Sequence, residues 1–303
     1  SSFKLPANLA CQAIARACSA SKAAETLPTF APTSISYDSQ IFRLVQGEWL
    51  FSITLIGGRL KIATSLGDFQ RQRLAGKQPT SATLVKRPGG GYYLNVQVKE
   101  VIAEPQIPAD FIGVDLGIAN LAVDSDGEIH SGDGVEAVRR KHTLQRKRLQ
   151  RKGTRGAKKK LRRLSGKEAR FRRYENHCIS KTLVETAKRT GRGIALEKLK
   201  GIRDRVTAWG GDAKARLSGW AFAQLRCFIE YKALAAGVVV AMVDAAYSSR
   251  TCSECGHCDK ASRKSQALFR CVGCGYECHA DWNAARNHRA QAIRKLALEL
   301  SPG

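Results

Sequence analysis

Four cysteines near the C-terminus have the spacing of a metal site. In CSECGHCDKASRKSQALFRCVGCGYEC, Cys252-x2-Cys255 is followed after fifteen residues by Cys271-x2-Cys274, with Gly256 and Gly275 closing each pair. Four thiolates at this spacing make a tetrahedral zinc centre with no open coordination position, so the ion is expected to be structural. Cys258 and Cys278 are surplus; they could substitute as ligands, but free thiols are the simpler reading. His279 could ligate as well, or it could shape the neighbouring site around Asp281.

A second chemistry is suggested by three acids in unusual places. Asp115 interrupts the apolar strand FIGVDLGIANLAV, Glu197 ends the strand RGIALEKL, and Asp281 opens the last helix. Singly, each has an ordinary explanation: an arginine partner for Asp115, a strand-end surface position for Glu197, a helix N-cap for Asp281. A buried carboxylate is normally paired or metal-bound. Gathered together they would repel one another unless hard cations neutralised them. Mg2+ prefers oxygen ligands, and two such ions can activate a water and stabilise the leaving oxygen of a phosphodiester.

Composition names the partner of such chemistry. The 303 residues carry 51 Lys and Arg against 26 Asp and Glu, a net charge of +25, which is the footprint of a polyanion. A membrane surface would require a strongly apolar amphipathic face or a lipidation signal, and a span would require about 18 consecutive apolar residues; neither pattern is found. Six of the ten cysteines fall between Cys252 and Cys278, which argues for metal binding in a reducing, cytoplasmic compartment over a disulfide framework. The opening SSFKLPAN lacks an initiator methionine, as expected of a fragment or a processed product.

Charge is densest at 139–173, where 18 Lys or Arg accompany a single acid, Glu168. Solubility needs far less, and self-repulsion would destabilise a lone helix. Arg146, Arg148, Arg151, Lys152, Lys158, Lys159, Lys160, Arg162 and Arg163 are therefore expected to contact nucleic-acid phosphates. Arg263, Lys264 and Arg270 make the zinc segment basic in the same way.

The elements that must position these groups follow from periodicity. Residues 6–25 are alanine-rich, with Leu9, Ile14 and Cys18 at helical spacing. Between 34 and 100 the pattern alternates as a small β-barrel or sheet, and IAEPQIPAD is a linker. Two strands joined by a Gly-containing turn come next, then two basic helices separated at RKGTRGAKKK. In the second of these, Phe171, Tyr174, Cys178, Leu183 and Ala187 keep a helical period. The strand RGIALEKL precedes a helix over 214–236 with Trp220, Leu225, Phe228 and Ile229 on one face. The apolar strand GVVVAMVD is expected to be fully buried, and DWNAARNHRAQAIRKLALEL is a closing helix. The order β-β-α-α-β-α-β-insert-α is that of an α/β layered domain.

FIGVDLGIANLAV, GIALEKLKGIRDR and HADWNAARN resemble the three motifs of a RuvC-type, RNase H-fold nuclease. Their setting is similar to that of the TnpB family, RNA-guided nucleases of insertion-sequence transposons related to type V CRISPR effectors. The resemblance extends through LSGWAFAQLRCFIEYKALAAGVVVAMVDAAYSSRTCSECG and more loosely through 34–100. It implies an α/β RNase H-like (RuvC) nuclease domain with an inserted zinc ribbon, preceded by a β-barrel wedge domain and the remnant of a helical recognition lobe. Residues 1–30 would be the end of that lobe, 31–108 the wedge, 109–248 the first nuclease part with basic helices at 136–190, 249–279 the ribbon and 280–303 the final helix. By the same resemblance Asp115, Glu197 and Asp281 form the catalytic triad, with guide RNA and target DNA as partners in a prokaryotic cell. The missing start of the lobe would affect recognition of the motif that flanks the target.

The expected activity is thus RNA-guided, metal-dependent DNA cleavage. Rival readings are an RNA-guided DNA-binding repressor without cleavage, which loss of one acid would have favoured, a transposase acting on transposon ends, and a small type V CRISPR effector.

Overall fold

The computed structural model describes residues 4–30, 34–87, 90–102, 104–198, 222–244 and 246–300. The chain divides into two compact units, Ser1–Val101 and Ile102–Gly303.

In the first unit, α1 (Ala7–Ala23) forms on the alanine-rich run, where side chains lose little freedom in a helix. Only Leu9 of this helix is buried; Ile14 and Cys18 are exposed, so the expected apolar face is reduced to one residue. β1 (Ser34–Asp38) pairs with β5 (Ser81–Lys86), which pairs with β6 (Tyr92–Gln97). β2 (Phe42–Val45), β3 (Leu50–Leu55) and β4 (Gly58–Ala63) make a separate antiparallel meander. Among the described residues, these are two three-stranded sheets and not the expected barrel. Closure would need hydrogen-bonded seams between the sheets. Instead Tyr37, Phe42, Leu44, Phe51, Ile53 and Ala82 share one core, joined by Leu9 and by Leu74 of α2 (Asp68–Leu74). That seven-residue helix was not anticipated, being too short to show a period.

The second unit is built on a five-stranded sheet of order β11-β10-β7-β8-β9. β7 (Phe111–Asp115), β8 (Asn120–Asp124) and β9 (Ile129–Ser131) are an antiparallel meander, while β10 (Gly193–Glu197) and β11 (Val240–Val243) run parallel to β7. Parallel strands need long crossovers. Here α3 (Asp133–Lys152) and α4 (Arg155–Arg189) lie between β9 and β10, and α5 (Phe222–Ala236) lies between β10 and β11. Trp220 and the start of the helix expected over 214–236 lie outside the described residues.

Side chains alternate across a strand, and this alternation sorts the sheet's two faces. Ile112, Val114, Ile194 and Leu196 pack with Ile179, Leu183 and Ala187 of α4 and with Leu225 and Ile229 of α5. Phe111, Ala195 and Val243 pack with Ala292 of the closing helix α6 (Ala280–Leu300). Burial on both faces explains why β7 and β10 read as continuous apolar runs. β11 departs from expectation: it is the sheet's edge strand, and only Val243 is fully buried. In α4, Tyr174 and Cys178 are exposed, and the docked stripe is Leu164, Ile179, Leu183, Val184 and Ala187.

Glycine at 113 lets α6 come close to the sheet. A Cβ there would lie 1.9 Å from the Ala285 carbonyl oxygen and 2.6 Å from the Arg289 backbone nitrogen. Both neighbours are helix backbone, so no rotamer change could make room. Gly113→Ala is therefore expected to push α6 off the sheet, costing about 1–3 kcal/mol or more by overpacking. The check is a thermal melt, which should fall by several degrees; an unchanged midpoint would show that α6 is free to shift.

Candidate functional site

Asp115 and Glu197 share the face of the sheet that α6 covers. Asp115 has the parity of Phe111 and Gly113, and Glu197 that of Ala195. The parallel register pairs Leu196 with Val114, so the next residue on each strand is one of the two carboxylates. Both therefore stand at the C-terminal ends of adjacent parallel strands, where α/β sheets bind ligands. Beside them is His288 of α6, fully buried. Potential ligand atoms of Asp115, Glu197 and His288 all lie within 4.8 Å of one another.

Asp281, in the first turn of α6, is also buried. Its oxygens are taken up differently: Asn120 Nδ2 donates to Oδ2 at 2.9 Å, and Arg263 lies 3.4 Å from Oδ1. It is close enough to act on Asp115 electrostatically. Burial first, then the Glu197 and Asp281 carboxylates, hold Asp115 well above the usual carboxylate range, with Arg263 opposing. Such a cluster is relieved by a proton or by a cation, and its carboxylate oxygens are the donors a hard divalent ion takes.

His288 was missed in the sequence. Its Nδ1 sits 3.1 Å from the Val114 carbonyl oxygen, while Nε2 has no hydrogen-bond partner. Burial holds its pKa below the usual imidazole value. The available signal was its spacing: seven residues after Asp281 is two helical turns, hence the same face. His279, in contrast, accepts a hydrogen bond from the Asp281 backbone N–H through Nδ1 at 3.3 Å and so caps the start of α6.

The cysteines form the second cluster. Sγ of Cys252 is 3.8 Å from that of Cys274, Sγ of Cys255 is 3.6 Å from that of Cys271, and all four lie within 4.8 Å. Tetrahedral zinc with bonds of about 2.3 Å sets thiolates about 3.8 Å apart, so the four residues fit the ion. Gly256 and Gly275 take positive φ, 75° and 77°, in the two turns. The N–H groups of Cys274 and Gly273 each approach Cys271 Sγ at 3.4 Å and bring its thiol down to about 6. Cys258 and Cys278 stay outside the four.

Two asparagines of α6 hold the base of this insert. Asn283 accepts from the Ser253 N–H and donates to the Thr251 carbonyl, at 2.9 and 2.7 Å. Asn287 donates to the carbonyls of Ser248 and Thr251, at 2.8 and 2.7 Å. Arg263, from the insert, reaches into the acid cluster, and Arg270 pairs with Glu277 at 2.6 Å; Lys264 is exposed. Of the three basic residues assigned to this segment, two are therefore already partnered by acids.

The basic helices turn on Gly153 (φ 64°) and on Thr154, whose side chain caps α4 by accepting from the Ala157 N–H. Arg146 is not free for a ligand, because it pairs with the buried Glu168, and His142 approaches the same carboxylate at 3.4 Å. Arg148, Arg151, Lys152, Lys158, Lys159, Lys160, Arg162 and Arg163 are exposed. Leu149 and Leu164 floor a groove of about 440 Å³ between α3 and α4, rimmed by Arg148, Lys152, Lys160, Arg163 and Lys167. No helix among the described residues is long and apolar enough to cross a membrane.

Comparison with known proteins gives this geometry a lineage. Residues 222–288 match the "Cas12f1-like, TNB domain" model, and residues 93–201 match the "Probable transposase" model of the OrfB, IS605 type. The chain is 40% identical to the CRISPR-associated endodeoxyribonuclease Cas12f1 of Sulfoacidibacillus thermotolerans, over 46% of this chain and 32% of that protein. It is 31% identical to the putative RNA-guided DNA endonuclease InsQ of Escherichia coli K12, over 70% of this chain and 57% of that protein. It thus spans between a third and somewhat over half of these relatives. A solved structure titled as the mini-RNA-guided endonuclease CRISPR-Cas phi3 superposes with a TM-score of 0.50 at 13% identity, covering 81% of this chain and 58% of that one, a likeness of fold alone. With a RuvC-like sheet, a four-cysteine cluster and these two family matches, the chain is similar to the TnpB/OrfB family of IS605-type transposon proteins, related to Cas12f.

Proposed function

We propose that this chain carries the catalytic centre of an RNA-guided DNA endonuclease. The observation that carries the reading is the convergence of Asp115 and Glu197 on adjacent strand ends, with Asp281 in electrostatic reach, in a chain of net charge +25. Asp115, Glu197 and Asp281 would hold two divalent ions, of which Mg2+ is the one the family resemblance implies. When bound, these supply Lewis-acid charge for the scissile phosphate and for an attacking water. Asn120 orients Asp281, and Arg263 balances its charge when the cations are absent. The four cysteines would hold a structural zinc that keeps Arg263 in place. The groove between α3 and α4 offers cations to a phosphate backbone over an apolar floor. Sequence would accordingly be read by guide–target pairing, with the protein reading backbone and shape.

Three outcomes are expected. Asp115→Ala should reduce cleavage of a guide-matched duplex by orders of magnitude while leaving guide-dependent binding near normal, measured with the RNA that co-purifies with the chain and with Mg2+. Binding without cutting when all three acids are intact would favour the repressor instead. Zinc should be found at one ion per chain by elemental analysis, and Cys271→Ser should lose it together with the folded insert, because so small a ribbon has little core of its own.

The third outcome concerns the groove. Replacing Arg148, Lys152 and Arg163 with Gln should weaken binding equally at every sequence. It should also flatten the salt dependence by about 0.7–0.9 in log–log slope for each phosphate no longer neutralised. Arg146→Gln should leave that slope unchanged and lower the melting temperature, because its guanidinium serves Glu168. If Arg146→Gln shifts the slope as much as the triple variant does, the groove is the wrong surface.

A further inference from the structure

We propose that His288 is a nitrogen ligand of the metal held by Asp115 and Glu197, and that this mixed donor set makes the centre favour Mn2+ over Mg2+. The inference rests on the reading of this cluster as a metal-dependent nuclease centre.

The argument starts from hydrogen-bond chemistry. Nδ1 of His288 lies 3.1 Å from the Val114 carbonyl oxygen. A carbonyl can only accept, so Nδ1 carries the proton and Nε2 presents a bare lone pair. The ring is 0% exposed, and Nε2 has no partner. Buried polar atoms are almost always satisfied, and an exception calls for a cause. An ionised carboxylate cannot donate to that lone pair, and potential ligand atoms of Asp115, Glu197 and this imidazole lie within 4.8 Å of one another. A cation at the focus of the three would satisfy all of them together.

The surroundings support this over a histidine that merely fills the core. Ligating histidines characteristically donate the other ring N–H to a carbonyl or carboxylate, which fixes both tautomer and ring orientation. Here the accepting carbonyl belongs to Val114, the residue next to Asp115, so one strand both supplies a carboxylate ligand and aims the imidazole. With bonds of about 2.1 Å to a small octahedral ion, adjacent ligand atoms lie about 3.0 Å apart and opposed ones about 4.2 Å, so three ligand atoms within 4.8 Å of one another are gathered on the scale of one ion's shell. Mg2+ keeps oxygen ligands and waters, whereas Mn2+ accepts carboxylate and stands above it in preference for nitrogen.

The test is Mn2+ titration with pulsed electron paramagnetic resonance on the whole chain, with a short DNA duplex present. The wild-type protein should bind Mn2+ in competition with excess Mg2+ and show coupling to an imidazole 14N. His288→Gln should lose that coupling and weaken Mn2+ by roughly tenfold or more, the loss that even an outer-shell partner of a ligand produces. Its Mg2+ affinity should change far less, and His279→Gln should keep the coupling. Asp115→Ala should abolish Mn2+ binding at the site. Mn2+ binding that depends on Asp115 but carries no nitrogen coupling in the wild-type protein would overturn the role of His288 and leave the nuclease centre standing. Absence of any Asp115-dependent binding would overturn both. Since the decisive signal is read on the wild-type protein, a variant that folds poorly does not blunt the test.

Discussion

The candidate site depends on one close approach, that of α6 to β7 over Gly113. With a Cβ required to sit 1.9 Å from a helix carbonyl, no other residue fits at that helix position. The helix face is matched to it: Ala284, Ala285 and Ala292 are all buried against the sheet side. Small residues on both sides bring two backbones together, and this carries Asp281 and His288 up to carboxylates that belong to strands. Arg289 fixes the same approach from the rim, with a bidentate pair to Asp110 at 2.8 Å for each bond, a geometry that specifies orientation as well as distance. A longer interaxial distance would leave the same residues present and the cluster unmade.

The helix also connects the two candidate metal sites. One face of its first two turns serves the acid cluster through Asp281 and His288, while Asn283 and Asn287 hold the backbone at Ser248, Thr251 and Ser253, where the cysteine insert begins. From the insert, Arg263 returns to Asp281. The folding of a small thiolate-bound insert is tied to its metal. The placement of the guanidinium that offsets the Asp281 charge therefore depends on a ligand set in a different part of the chain. Replacing Asn283 by an apolar residue would leave the Ser253 N–H without its acceptor, and replacing Asn287 would leave the Ser248 carbonyl without its donor, while Thr251 keeps one donor in either case. A buried group left unmatched costs more than the bond itself contributes.

Much of this was legible because the signals are local or periodic. The cysteine spacing is a covalent pattern that needs no tertiary context, and the parallel strands announce themselves as unbroken apolar runs. Asp115 was detectable because a carboxylate in such a run is an exception. What was not legible depended on geometry between distant segments. His288 sits in a polar-looking stretch, and nothing local says that Val114, 174 positions earlier, will accept its proton. Arg146 looked like every other cation of its helix until the hairpin brought Glu168 against it. The barrel was implied by the resemblance alone. Alternation left barrel or sheet open, because it identifies strands but not which edges pair, and the described residues form two sheets around a shared core. β11 was misjudged because apolarity says that a strand can be buried, not that it lies inside the sheet; at the edge it stays half-buried except at Val243.

The opposition between overall charge and local site is the remaining physical point. A chain of net charge +25 draws a polyanion to itself, yet at its centre it gathers three carboxylates, two of which raise the third. Alone, such a cluster would repel the phosphate that the surface attracts, so the basic face and the acidic centre are useful together only if cations reside between them. Arg263 supplies one charge from the insert, at 3.4 Å and against a single oxygen, which is a weak geometry beside the bidentate Arg289 pair. Arg263 is thus the longer of the two polar contacts on the Asp281 carboxylate, which also accepts from Asn120 at 2.9 Å, while Asp115 and Glu197 stand on strand ends. The acidic centre is therefore set by the sheet on one side and meets the insert's arginine on the other.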